Sequence, residues 1–234
     1  MQELPAEGAI ALIDKPTGVT SHDVVLSARR ILPGIKIGHA GTLDPFASGL
    51  LILLIGRATK AQQELMRLPK RYDVSARLGA RSSTGDPEGA LELTGRIPPR
   101  DAPLVQGEIM QRPPAYSAVK VGGERAYRRA RRGESFELAP RPVTIYSFAE
   151  LWRDCGECAP DGGLPRAAYR IECSAGTYVR ALIAGLGDAY CEQLRRTAIG
   201  PFSVDQAQPP PARAGAAPLR VLSLAQARSG VLAQ

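Results

Sequence analysis

The sequence predicts an α+β fold, a mixed and largely antiparallel sheet flanked by helices. Three observations lead there. Residues 72–78 alternate with period two, with Tyr72, Val74, Ala76 and Leu78 on one face and Asp73, Ser75 and Arg77 on the other, the pattern of a half-buried strand. Extended and helical segments are mixed without the regular β-α-β alternation of a doubly wound sheet. The 20 prolines and 24 glycines among 234 residues supply the turns that several strands require.

In chain order, residues 9–13 read as a short strand that ends in the turn-like Asp14-Lys15-Pro16-Thr17-Gly18. Thr20 and Asp23 have the spacing of a capping box. A helix through Ile31 follows, with Val24, Val25, Ala28 and Ile31 on its apolar side, and Pro33-Gly34 stops it. A glycine-rich loop over residues 38–45 leads into an apolar strand over residues 50–55, and a helix over residues 59–68 ends at Pro69. Beyond the alternating strand, residues 81–89 read as loop, 102–110 as a short helix and 123–132 as a very basic helix. Residues 141–151 and 166–174 read as strands, and 178–188 as a helix with Leu182, Ile183 and Leu186 inward. After Asp205 acidic residues vanish and prolines, arginines and alanines accumulate. Residues 1–205 are therefore expected to form one domain. Residues 206–234 are expected to form a short Pro/Ala-rich tail, an extended arm with a short helix over 221–228.

The net charge of +7 favours a polyanionic partner, because each Lys or Arg set on a phosphate releases a condensed counterion. Charge alone leaves an ordinary basic protein equally open. No cation-faced amphipathic helix suggests a membrane surface, and the longest apolar run, residues 50–55, is too short to span a bilayer. Cys155, Cys158, Cys173 and Cys191 are too few for a disulfide scaffold in a chain of this length. The opening residues lack the cationic and long apolar regions of a signal peptide. A cytoplasmic protein is expected.

Neither G-x-x-x-x-G-K-[ST] nor G-x-G-x-x-G occurs, so no nucleotide site announces itself. His22 and His39 are the two histidines, too few for a His-rich metal site. Cys155-x-x-Cys158 has the spacing of half a zinc ribbon, but no second pair follows; ordinary unpaired cysteines are the favoured reading and no metal is expected. Around Asp44 the chain differs. Gly38, Gly41 and Gly49 let a large ligand come close to the backbone, and Thr42, Ser48, His39 and Asp44 supply two hydroxyls, an imidazole and a carboxylate. Two readings stand side by side, a catalytic loop and a plain turn in which Asp44 precedes Pro45. Spacing favours the turn.

The order of blocks speaks further. Gly38-His39-Ala40-Gly41-Thr42-Leu43-Asp44-Pro45-Phe46-Ala47-Ser48-Gly49-Leu50-Leu51 closely resembles the signature of TruB-type (bacterial) tRNA pseudouridine synthases. Asp14-Lys15-Pro16-x-Gly18-x-Thr20-Ser21, Lys70-Arg71-Tyr72, and Pro113-Pro114-x-Tyr116-Ser117-Ala118-x-Lys120 are similar to further blocks of that family. So are Cys173-Ser174-x-Gly176-Thr177-Tyr178-Val179-Arg180 and Leu194-Arg195-Arg196-Thr197-x-x-Gly200-Pro201-Phe202. All stand in the family's order.

The resemblance implies the pseudouridine synthase fold for residues 1–205 and isomerisation of uridine 55 in the TΨC stem-loop of tRNA. Reactant and product contain the same atoms, so no cofactor is implied. By resemblance Asp44 is the nucleophile or electrostatic partner of the ribose, and Arg180 is the arginine expected to pair with it. Tyr72 is expected to stack on the extruded uracil, and its phenol to serve in the C5 proton transfer; a core tyrosine on the Val74 face fits the periodicity equally well. His39 is expected to hold the target nucleotide out, Tyr178 and Leu194 to line the base pocket, and Lys15 and Lys60 to make phosphate or structural contacts. The basic segment with Arg125, Arg128, Arg129, Arg131 and Arg132 reads as a surface for the RNA backbone or as a solvated charged face. Two departures stand out: the tail is too short for the RNA-binding domain with which bacterial members usually continue, and the stretch between Gly187 and Leu194 is shorter than the family's. The expected enzyme is a monomer with no obligate protein partner. A noncatalytic tRNA-binding module and a guide-RNA-dependent relative are the alternatives.

Overall fold

The structure, a computed structural model, describes residues 3–117, 119–154, 163–211 and 218–232. In chain order its elements are β1 (Ala9–Lys15), α1 (Ser21–Ile31), β2 (Ile37–Ala40), β3 (Ser48–Ile55), a 3-10 turn (Gly56–Ala61), α2 (Gln62–Arg67), β4 (Lys70–Leu78), β5 (Ala80–Ser82), β6 (Leu91–Leu93) and β7 (Gly107–Gln111). There follow β8 (Lys120–Val121), β9 (Glu124–Arg125), α3 (Ala126–Arg131), β10 (Arg141–Arg153), β11 (Arg166–Cys173), α4 (Val179–Ala184), β12 (Ala189–Ile199), β13 (Phe202–Ser203), β14 (Leu222–Ser223) and α5 (Leu224–Leu232). The chain divides into two compact units, Met1–Tyr72 with Leu194–Gln234, and Asp73–Gln193. β4 and β12 each run from one unit into the other.

In the first unit β1 pairs antiparallel with β3 from Ala9↔Ile55 to Lys15↔Gly49, and β2 pairs antiparallel with the same β3. Both faces of this ribbon are covered, which explains why β1 and β3 read as unbroken apolar runs and not as alternation. On one face Ala9, Ala11, Ile13, Leu51, Leu53 and Ile55 meet Val24, Val25 and Ala28 of α1. On the other, Ile10, Leu12, Leu50, Ile52 and Leu54 meet Leu65 of α2 and Leu224 and Ala227 of α5. The described part of the chain beyond Asp205 thus packs into the core of this unit, and β14 adds to β1. The capping box at Thr20 forms as its spacing predicts, with Asp23 N–H donating to Thr20 Oγ1 at 3.1 Å and Thr20 N–H to the Asp23 carboxylate at 2.8 Å.

In the second unit β10 stands between β11 and β7, antiparallel to both. The predicted alternation of β4 holds: Tyr72, Val74, Ala76 and Leu78 are buried, and Asp73, Ser75 and Arg77 are half-buried. Other expectations are corrected. Residues 102–110 form no helix; Gly107 takes φ +82°, and the residues after it pair with β10 as β7. Residues 80–82, read in part as loop, form β5 and pair with β6. The basic helix is shorter, Ala126–Arg131, behind the β8–β9 hairpin. The helix after Tyr178 ends at Ala184, because Gly185 to Gly187 turn the chain, and Gly187 adopts φ +127°. β12 escaped notice because Glu192, Arg195 and Arg196 interrupt its apolar pattern.

Candidate active site

The loop between β2 and β3 carries Asp44, and its main chain is held at every residue from Gly41 to Pro45. Gly41 O accepts from Arg196 Nη2 at 3.0 Å and Thr42 O from Arg196 Nη1 at 3.5 Å. Leu43 N–H donates to Ser21 Oγ at 2.9 Å, and that hydroxyl donates back to Leu43 O at 3.2 Å. Asp44 O accepts from Ala47 N–H at 3.1 Å and Pro45 O from Gly18 N–H at 2.8 Å. The turn reading of Asp44-Pro45 is therefore right for the backbone, with proline at the second turn position. The Asp44 side chain stays half-exposed on this fixed frame.

Beneath the loop lies Lys15, 0% exposed. Its Nζ donates to Pro16 O at 2.9 Å, Val19 O at 2.8 Å and Pro45 O at 3.4 Å. Burial pulls its pKa down to about 8, against the pull of the neighbouring Asp44 carboxylate. The ammonium thus has no exposed surface and three carbonyl acceptors. Lys60 is exposed on the 3-10 turn. His39 lies half-buried on β2 with Nδ1 buried and unpartnered. Desolvation, then the charges of Arg196 and His22, hold its pKa below the usual imidazole value. Tyr72, on β4, and Leu194, on β12, are both buried.

In the second unit Arg180 sits in the first turn of α4, 4% exposed. Its Nη1 donates to Thr84 O and to Asp86 Oδ2, both at 2.7 Å, and its Nη2 donates to Tyr116 O at 2.8 Å. Asp86 is itself fixed by Thr84 Oγ1 at 2.5 Å and Glu88 N–H at 3.1 Å. Tyr178 precedes α4, and its backbone N–H and C=O are both bonded by the side chain of Gln111, at 2.8 and 3.1 Å. Sequence reasoning missed Asp86 and Gln111, which lie 94 and 67 residues from their partners; Asp86, before Pro87, reads only as a turn residue. Arg196 stands inside a sequence motif that by itself assigns it no role.

Along α3, Arg129 and Arg132 are ion-paired with Glu134, and Arg132 also with Glu124. Arg128 and Arg131 lie over the Tyr127 ring, 6.0 and 5.7 Å from its centre. The cationic face is therefore partly neutralised. Cys155 and Cys158 lie outside the described residues. Among the described residues no three His, Cys, Asp or Glu side chains gather in a metal-binding group, and no helix is long and apolar enough to cross a membrane.

A family model described as TruB family pseudouridylate synthase (N terminal domain) matches residues 29–179, from α1 through the loop of Asp44 to the start of α4. The chain belongs to this family. Curated relatives agree. It is 40% identical over 225 residues to the tRNA pseudouridine synthase B of Corynebacterium diphtheriae, covering 88% of this chain and 72% of that one. It is 44% identical over 213 residues to that of Nocardia farcinica, covering 86% and 68%, and 46% identical over 213 residues to that of Mycobacterium bovis, covering 85% and 69%. A chain in the crystal structure of a Cbf5-Nop10-Gar1 complex superposes with a TM-score of 0.59 at 30% identity; the match covers 84% of this TruB-family chain and half of that one. A crystal structure of a pseudouridylate synthase, 17% identical, shares the fold with a TM-score of 0.51 over 96% of this chain and 74% of its own.

Proposed function

We propose that this TruB-family chain isomerises uridine 55 in the TΨC stem-loop of tRNA to pseudouridine, with Asp44 as the carboxylate that acts on the ribose. The observation that carries the reading is the Asp44 loop. One half-exposed carboxylate is presented on a backbone fixed at five consecutive residues, the preorganisation that charge development in a transition state rewards.

In the reaction the N1–C1′ bond breaks, the uracil turns over and C5 bonds to C1′, while the C5 proton leaves and N1 gains one. Asp44 acts at C1′ by attack or by stabilising positive charge there, so it works ionised. Tyr72 stacks on the uracil, and its phenol serves the C5 proton transfer. Tyr178 and Leu194 line the base pocket, His39 keeps the nucleotide extruded, Lys60 meets phosphate, and Arg180 serves the chemistry from its Asp86 anchor. Because the target base lies within a folded arm, phosphate contacts and stacking must offset an unstacking cost of a few kcal/mol. The enzyme acts in the cytoplasm as a monomer, without cofactor or obligate protein partner.

The test is incubation of purified protein with an unmodified tRNA transcript and no added cofactor, followed by mapping of pseudouridine. Product at position 55 is expected from the parent and none from Asp44→Asn, which still binds tRNA. Substantial product from Asp44→Asn would remove Asp44 from the chemistry.

A further inference from the structure

We infer that Arg196 is a positioning residue for the Asp44 carboxylate, holding the loop on its N-terminal side from β12; this rests on the reading of Asp44 above. Arg196 is 2% exposed, among the largest fully buried side chains. A guanidinium out of water normally faces a carboxylate, as buried Arg180 does with Asp86 at 2.7 Å. Each acceptor of Arg196 is instead a main-chain carbonyl: Leu50 O on Nε at 2.8 Å, Gly41 O on Nη2 at 3.0 Å and Thr42 O on Nη1 at 3.5 Å. An apolar side chain would fill this place with less loss of hydration, as Ala189, Cys191, Leu194 and Ile199 do at other buried places of β12.

What arginine adds is a planar fork with donors in fixed directions. Here the fork ties a loop, residues 41–42, to a central strand at Leu50. The surroundings make room for it. β12 meets β3 in parallel, with Arg196 opposite Gly49, and a Cβ on Gly49 would lie 2.2 Å from Arg196 O. Gly41, at φ +93°, leaves 3.6 Å between its own Cβ position and Nη1. Two residues beyond Thr42 stands Asp44, and on its far side buried Lys15 takes Pro45 O. Two buried cations thus bracket the carboxylate through the carbonyls of its own loop.

The test compares Arg196→Met and Arg196→Lys with the parent in kcat and KM on an unmodified tRNA transcript, in tRNA Kd by filter binding, and in thermal melting. In folded Arg196→Met, kcat is expected to fall about 10²-fold with KM and Kd within about threefold, and Arg196→Lys is expected to lie between. Amide exchange at Leu43, whose N–H meets Ser21 Oγ, is expected to quicken at least about tenfold in Arg196→Met. A folded variant with parental kcat, a loss confined to KM and Kd, or unchanged Leu43 exchange overturns the inference. Failure of both variants to fold also overturns it, leaving only a structural role. An inactive but folded parent overturns the proposed function instead, and the exchange measurement still decides whether Arg196 holds the loop.

Discussion

The guanidinium of Arg180 donates to the carboxylate of Asp86 at 2.7 Å, with the two side chains only 5% and 6% exposed. Breaking such a pair from one side strands the other charge without water. Asp86→Ala is therefore expected to lose about 3–5 kcal/mol of unfolding free energy, and Asp86→Asn distinctly less, because the amide oxygen still accepts from Arg180. Urea titration of both variants checks this; equal losses would show that the charge, not the retained hydrogen-bond acceptor, governs the pair.

Lys15 supplies an alkaline signature. Its pKa in the folded chain, about 8, lies below the 10.5 of an unperturbed lysine. Between those values the unfolded chain binds more protons than the folded one, so this group makes stability rise with pH from 8 to 10.5. The rise is expected in the parent and is expected to shrink in Lys15→Met, as urea midpoints across that range would reveal.

At acid pH the sign reverses. The hydroxyl of Thr94 first, and then Arg96 and Arg81, hold the Asp188 pKa at about 2, below the usual 3.8. Its stabilising contribution is complete above pH 3.8 and disappears as pH falls through 2. Asp188→Asn is expected to flatten the acid limb of the stability curve; an acid limb identical to the parent's would remove the clamp from the account.

Two glycines with similar torsions are expected to respond differently to alanine. Gly49 (φ +102°) has no room for a Cβ against the Arg196 backbone, whereas Gly18 (φ +81°) faces open space. Gly18→Ala is expected to cost about 1 kcal/mol of backbone strain, and Gly49→Ala more than about 3 kcal/mol from strain plus overlap. Thermal melts of the pair test this, and similar losses would contradict it.

Affinity for tRNA is expected to fall steeply with salt, as phosphate contacts require. Arg128 and Arg131 are stacked on Tyr127, while Arg129 and Arg132 are neutralised by glutamates. Exchange of Arg128 or Arg131 for glutamine is therefore expected to lower the slope of log Kd against log salt by about one each. A slope unmoved by both would place the RNA elsewhere.

Local rules made much of this fold legible. The capping box of Thr20 and Asp23 and the alternation from Tyr72 to Leu78 depend on neighbours in sequence, so spacing alone determined them, as the ordered motifs determined the family and drew attention to Asp44. What needed the tertiary structure is chemistry between distant residues. Whether Lys15 meets a phosphate or three carbonyls, and whether Arg196 on β12 is a surface charge or a buried fork, depends on which segments the sheet brings together. So does the anchor of Arg180, an aspartate 94 residues away. A charged residue looks solvated in any local window, and only the acceptors supplied by remote backbone make its burial tolerable.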